Sequence, residues 1–455
     1  VNARAIGWLG IARLGLVQAA LGSIVVLATS TMNRVMVVEL ALPAVLPGAL
    51  VGLHYGIQIL RPRLGFGSDV GGRRTPWIVG GVATLGLGAV LAALAIALMQ
   101  TSRAPGIFLA FVGFILIGLG VGAAGTSLLV LLAKRVDPAR RAAAATAVWL
   151  MMIVGFVVTT IAVGQILDPY SAARLVAITG CVAVVAFLAT IAAVHGLEMP
   201  SAEPVPAPVD HAVSSTAKPK FRDALAQVWN EPQARRFTLF IFVSMLAYSA
   251  QELILEPFAG SVFAMTPGQS TQLSGVQHGG VLIGMVLVNI FCSVIGGPRL
   301  GSLRTWIFAG CIASALALIA LAVGGAIGSA WPLRANVFLL GMANGAFAVA
   351  AIGSMMSLVG AGRESREGVR MGLWGGAQAV AFGLGGFLGA AASDVARRLL
   401  ESPGLAYGIV FIAEAGLFAG AAWLASRLDS TPAAQSPDRA PGVVRSNLAH
   451  RETPA

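Results

Sequence analysis

Long apolar stretches, separated by short polar connections, organise the chain from end to end. Ten of them contain no Asp, Glu, Lys or Arg: 14–33, 40–60, 77–102, 104–133, 142–167, 175–194, 273–298, 305–333, 335–362 and 371–393. Two more reach similar length while carrying acids, 237–259 with Glu252 and Glu256 and 403–426 with Glu414. A helix needs about 20 mostly apolar residues to cross a bilayer. The pattern therefore predicts an all-α membrane protein of twelve transmembrane helices. Barrel strands would alternate polar and apolar residues, and no segment does so.

Charge tests the count. With the N-terminus cytoplasmic, 24 of the 30 Lys and Arg residues fall in inside segments, and only Arg34, Arg103, Arg174, Arg334, Arg397 and Arg398 fall outside. Basic residues stay on the cytoplasmic side of a membrane, so both termini are expected in the cytoplasm and the chain in a bacterial inner membrane. The net charge of +11 is then topological, and a nucleic-acid partner is excluded. Composition agrees: 57% of residues are hydrophobic and 11% charged, where a soluble domain carries about 25% charged residues. Cys181, Cys292 and Cys311 lie inside apolar runs without metal-ligand spacing, so neither a disulfide framework nor a protein metal site is expected. The first apolar run is too long for a signal-peptide core and reads as a permanent helix.

The chain divides into two six-helix halves, 1–198 and 237–426. A cytoplasmic linker, 199–236, joins them and ends in a short surface helix bearing Phe221, Leu225, Val228 and Trp229; the tail 427–455 reads as disordered. The halves repeat at a nearly constant offset. His54 and His278 are 224 residues apart, the Gly118/Gly122 and Gly341/Gly345 steps 223, and Arg141 with Trp149 precedes Arg366 with Trp374 by 225. Transporters built from such repeats hold their ligand between them near the midplane. The glycine steps predict close helix contacts, or else a smooth wall for a planar ligand.

Between the second and third spans, residues 65–74 read GFGSDVGGRR. Gly65, Ser68, Asp69, Gly72, Arg73 and Arg74 resemble the cytoplasmic loop signature of the major facilitator superfamily, with departures at Gly67 and Val70. Gly72 permits a tight turn, and Asp69 is suited to pairing with arginines or a helix N-terminus so as to latch the halves. The resemblance implies the major facilitator fold and is silent on substrate.

A finer resemblance lies in NRVMVVEL at 33–40, Arg235-Arg236-Phe237, SMLAYS at 244–249 and LILEPFAG at 253–260. These look like the bacteriochlorophyll delivery family, which includes the PucC and LhaA proteins of purple phototrophs. One branch of that family bears the name of a bacteriochlorophyll synthase subunit, and 54–69 is nearer to that branch. The resemblance implies an assembly factor that binds or delivers bacteriochlorophyll, or a precursor, with antenna polypeptides and pigment-synthesis enzymes as partners. No obligatory cofactor is implied.

Three sets of polar residues inside the spans are candidates for that work. His54 and His278, at matching positions of spans two and eight, are candidate axial ligands for the pigment Mg, with Gly56, Gly279 and Gly280 leaving room for a flat ring; the alternative is hydrogen bonding to neighbouring helices. Asn33, Arg34, Glu39, Gln251, Glu252 and Glu256 form a polar group on spans one and seven. There an Arg34–Glu256 or Arg34–Glu252 pair either gates the outer side or is a static ion pair. Glu414 is either a structural acid or a proton relay. Spans four and ten otherwise offer little polarity beyond Thr126, Ser127, Asn344 and Ser354. An enzyme is not expected: no two of the eight aspartates lie closer than nine residues, and no P-loop or nucleophile motif is present. The competing function is proton-coupled transport of an unrelated solute on the same fold.

Overall fold

The computed structural model describes residues 6–60, 73–137, 140–198, 229–292, 302–360 and 367–427. Among these, the chain forms twelve helical spans: α1 Trp8–Glu39, α2 Val45–Ile57, α3 Thr75–Met99, α4 Arg103–Arg135, α5 Arg141–Ile166, α6 Ala172–Val194, α7 Pro232–Phe263, α8 Pro267–Ile290, α9 Leu303–Ile327, α10 Leu333–Gly360, α11 Glu367–Leu399 and α12 Pro403–Ser426. No strand occurs among the described residues. All but α2 are long and apolar enough to cross a bilayer; α2 is described only as a shorter apolar helix running on to Leu60. The loop motif from Gly65 to Gly72, the surface helix from Phe221 to Val228 and the tail lie outside the described residues.

Several boundaries differ from the sequence reading: α7 begins at Pro232, inside the expected linker, α8 begins at Pro267 rather than residue 273, and α11 runs on to Leu399 rather than residue 393. α1 runs past the apolar stretch 14–33 to Glu39, because Arg34 and Glu39 neutralise each other within it. α2 starts at Val45 rather than residue 40. Ala41 adopts a left-handed backbone (φ 49°), and Pro43 has no N–H to offer a helix. Ala264 closes α7 in the same conformation (φ 53°), 223 residues later. Such a left-handed cap is usually glycine's task, and an alanine there carries a cost of roughly 1 kcal/mol. Both halves make the same unusual turn at the same place.

The packing repeats as well. In the first half α1 packs on α5 and α6, α3 on α4 and α6, and α2 on α4; in the second, α7 packs on α11 and α12, α9 on α10 and α12, and α8 on α10. Glycines set the close approaches. A Cβ at Gly341 or Gly345 of α10 would collide with the Gln277 or Val281 carbonyl of α8, and one at Gly385 of α11 with the Leu246 carbonyl of α7. These steps are contact surfaces, as one of the two sequence readings held. One packing departs from symmetry. Gly81, Gly88, Gly113 and Gly120 bring α3 and α4 together backbone to backbone, whereas α8, α9 and α10 leave a lipid-side groove of about 590 Å³ lined by small residues between Trp306 and Trp331.

The halves meet along three lines: α2 on α11, α5 on α8, and the second part of α1 on α7 and α8. The first two are exchanged by the repeat, so the halves are related by a pseudo-twofold. α4 and α10 make no substantial contact across this midline.

Candidate functional site

We call the end where α1 begins and α12 finishes the basal end, and the opposite end distal. At the basal end, Arg13 donates to the Ala193 carbonyl (2.9 Å), Ile6 N to the Arg135 carbonyl (2.8 Å), Arg370 pairs with Glu231 (2.7 Å), and Arg304 donates to the Ser426 carbonyl, each within one half. Glu198 belongs to this set. It caps the start of α3, accepting from the backbone N–H of Arg74 (2.7 Å) and of Thr75 (2.8 Å) and from the Thr75 hydroxyl (2.8 Å). Burial pushes its pKa up, but those hydrogen bonds and the Arg74 charge outweigh burial and hold it below the usual value.

At the distal end the contacts cross between halves. Asn33 donates to the Leu253 carbonyl (2.5 Å), Thr31 and Thr271 share a hydrogen bond (3.1 Å), and Arg34 donates to the Met265 carbonyl (2.7 Å). Ser30 donates to Glu256 and lies 3.1 Å from Ser274, whose carbonyl accepts from His278 Nδ1 (2.8 Å). His278 Nε2 faces Glu252 at 4.0 Å. The structure thus draws Asn33, Arg34, Glu252, Glu256 and His278 into one seal, with Glu39 at its exposed edge and with Ser30 and Ser274 as connectors the sequence reading lacked.

The expected Arg34–Glu256 or Arg34–Glu252 pair is not what forms. Arg34 pairs with Glu39, five residues on. On a regular helix, residues i and i+5 point apart. Here Leu27–Thr31 and Val35–Glu39 are widened turns, closed by i→i+5 bonds such as Leu40 N to the Val35 carbonyl (3.1 Å). Such turns occur mostly singly and often at functional sites. Gln251 is buried, and its amide has no hydrogen-bond partner among the described residues.

Two carboxylates fasten the distal rim. Asp394, near the end of α11, accepts from the backbone N–H of Ala44 (2.9 Å) and Val45 (2.8 Å) at the start of α2. Asp168, just past α5, accepts from Gly268 N (3.0 Å) and the Thr266 hydroxyl at the start of α8. Each caps a helix of the opposite half, where the N-terminal partial positive charge favours an anion. They stand 226 residues apart, the repeat offset being the signal that would have found them. Deeper in, Phe156 of α5 lies edge-on to His278 of α8 (4.8 Å), while Phe382 of α11 meets Tyr55 of α2 (5.2 Å). These two phenylalanines are also 226 apart.

His54 stands apart from this seal. It is buried on α2 with Gln58 Nε2 at 3.0 Å. Gly56 and Gly279 face open space, as a flat ring would require, but Gly280 is packed against the Phe338 carbonyl of α10. Asn344 is turned away from the midline and accepts from Ser314 of α9 (2.8 Å), and Ser127 is fully buried. Glu414 is buried on α12 without a hydrogen-bond partner among the described residues. Arg73 and Arg74 are the described remnant of the loop motif.

Polar contacts join the halves at the distal end, and α4 and α10 make no substantial contact across the midline. This is the arrangement of the major facilitator fold. The structure is similar to a bacterial homologue of the human lysosomal transporter Spinster, inward-facing and unoccupied (TM-score 0.66, 14% identity, 93% of this chain and 98% of that one). It is also similar to a bacterial homologue of the human drug peptide transporters PepT1 and PepT2 (TM-score 0.64, 14% identity, 92% and 97%). The family model described as PUCC protein matches residues 31–432. The "Bacteriochlorophyll synthase 44.5 kDa chain" of Rhodobacter capsulatus is 52% identical over 440 residues, 96% of this chain and 99% of that protein. "Protein PucC" of Cereibacter sphaeroides is 28% identical over 427 residues, covering 89% and 88%.

Proposed function

This chain belongs to the PUCC family, and from that premise we propose that it is a membrane-embedded assembly factor that binds or delivers bacteriochlorophyll, or a precursor, while light-harvesting complexes are built. The observation that carries this reading is the end-to-end match to a relative named for bacteriochlorophyll synthesis. In this reading the basal end is cytoplasmic, the membrane is the bacterial inner membrane, and the partners are antenna polypeptides and enzymes of pigment synthesis. The chain itself is a non-catalytic subunit.

The apolar character of α4 and α10 supports a lipid-like cargo. Two of the few polar side chains on α4 and α10 are spent on packing: Ser127 is fully buried and Asn344 is bonded to Ser314. An apolar wall suits a molecule with a long hydrocarbon tail, since each buried CH₂ contributes about 0.8 kcal/mol. Neutral imidazole is a suitable axial donor for the pigment Mg. His278 is closed off here by Phe156 of the opposite half and by Ser274, so ligation through it belongs to a state in which α5 has moved off α8. His54 is the second candidate.

Purification from the native membrane in mild detergent, followed by an absorption spectrum and identification of co-purifying proteins, tests the reading. Bound pigment together with antenna or pigment-synthesis partners is expected. A colourless protein without photosynthetic partners would favour transport of an unrelated solute by the same fold. Retention of full pigment absorbance by a His54→Ala/His278→Ala protein would remove the imidazoles from the account while leaving the cargo in place.

A further inference from the structure

The distal seal contains an acid with no cation of its own. Glu256 is 2% exposed; its Oε1 accepts from Ser30 across the midline, and its Oε2 has no hydrogen-bond partner among the described residues. The charged neighbour facing it from α1 is Arg34, whose two terminal nitrogens bond Glu39 and the Met265 carbonyl while its Nε has no hydrogen-bond partner among the described residues. From α8 it meets the Ser270 hydroxyl, with Ser274 and His278 beyond. On α7 itself Glu252 lies one turn back, with Tyr248 nearby. Tyr170, between α5 and α6, lies beside Arg34 and Glu39. From α11 and α12, which also pack on α7, the titratable and charged groups are Asp394, Arg397, Tyr407 and Glu414. Asp394 is occupied with the start of α2, and Tyr407 sits with Arg397.

With Arg34 balanced by Glu39, an ionised Glu256 would be an uncompensated negative charge sealed from water, one turn from a second acid, Glu252. An unpaired buried ion costs several kcal/mol even after the protein relaxes. A neutral carboxyl at the same place retains the Ser30 hydrogen bond and avoids that cost. We propose that Glu256 is a proton-binding site linked to the distal gate: it holds a proton while the halves are closed over it and releases that proton to water when they part. The step is a plain dissociation, carboxylic acid to carboxylate plus a hydrated proton, and needs no co-reactant. The link exists because the partner of Glu256, Ser30, belongs to the opposite half, so closing the gate and drying the carboxyl are the same motion. The inference goes beyond the pigment reading and holds for any cargo.

The sign follows from linkage. If the closed state binds the extra proton, raising pH opens the gate, and the open-to-closed ratio changes by at most about tenfold per pH unit for one proton. The test uses the full-length chain with Cys181, Cys292 and Cys311 replaced by Ala and Thr271→Cys as a reporter buried in the seal. Its rate of modification by a membrane-impermeant thiol reagent is normalised at each pH to the unfolded chain. The normalised rate is expected to climb with pH in the parent, to stay slow and flat in Glu256→Gln, and to keep climbing in Glu252→Gln. Infrared difference spectra between acid and alkaline pH should carry a protonated-carboxyl band that Glu256→Gln loses. A flat profile in the parent overturns the proposal without any need for the Glu256 variant to fold, and so does a Glu256→Gln profile that still climbs. No pigment enters the assay, so its result is separate from the fate of the cargo.

Discussion

Removing the two rim carboxylates should open the distal gate by an amount set by what each one caps. Asp394 holds two backbone N–H groups of the opposite half, and Asp168 holds one N–H and one hydroxyl. Loss of a capping side chain costs about 0.5–2 kcal/mol, and the helix-terminus charge interaction falls within that range for a partly exposed site. Because both contacts bridge the halves, the loss falls on the closed state alone. We take about 1–2 kcal/mol per Asp→Ala, which is a shift of roughly five- to thirtyfold in the open-to-closed ratio at tenfold per 1.4 kcal/mol. The two sites sit on opposite walls and share no partner, so their effects should add, to roughly 30- to 700-fold in the double variant. Modification of Thr271→Cys reads the shift directly. Glu198→Ala is the control, since it deletes a carboxylate cap of similar chemistry inside one half and should leave the gate unmoved. If Asp168→Ala/Asp394→Ala labels at the parental rate, the rim carboxylates are ornaments of the closed state and not its latches.

Three other expectations follow from the same geometry. Gly345→Ala places a methyl group against the Val281 carbonyl and should lower stability by about 1–3 kcal/mol through overpacking, seen as a lower melting temperature; Gly56→Ala, which meets open space, should not. Glu198 has a depressed folded pKa, so its stabilisation is fully present above its ordinary value of 4.5 and is lost as pH falls through the folded value. The melting-temperature gap between the parent and Glu198→Gln should therefore shrink on acidification, and a gap that widens would contradict the assignment. Arg34→Ala should destabilise more than Glu39→Gln in the same assay. Arg34 is 2% exposed and Glu39 34%, and loss of Arg34 also strands the Met265 carbonyl.

Most of the fold was legible because lipid imposes a simple rule: apolar runs of sufficient length become helices, and basic residues mark their ends. The repeat was legible for a related reason, since both halves solve the same packing problem at matched positions. The seal was legible only in part. Arg34, Glu39, Glu252 and Glu256 attract notice because charge inside an apolar run is expensive. Their pairing was misread because the spacing rule for regular helices hides an i, i+5 contact that exists only where turns widen. Ser30 and Ser274 are unremarkable in composition; they matter because the midline brings them together. Asp168 and Asp394 fall just outside the apolar runs, and three of the four groups they cap are backbone N–H groups that no side-chain pattern announces. The start of α2 was misplaced because apolarity extends through Leu40–Leu42 while the backbone has already turned at Ala41.

The two wide turns in α1 bear on how such a rod could rearrange. A wide turn holds one residue more than a regular one, and returning it to regular geometry swings everything beyond it by about 100° around the axis. The backbone exchanges one carbonyl partner for its neighbour during that slip, so the rod can screw without first melting. The first, Leu27–Thr31, includes Ser30 and precedes Asn33 and Arg34, the residues that grip the opposite half, while the second, Val35–Glu39, follows them. A local change of winding would therefore withdraw this whole grip at once, as a key is turned rather than pulled.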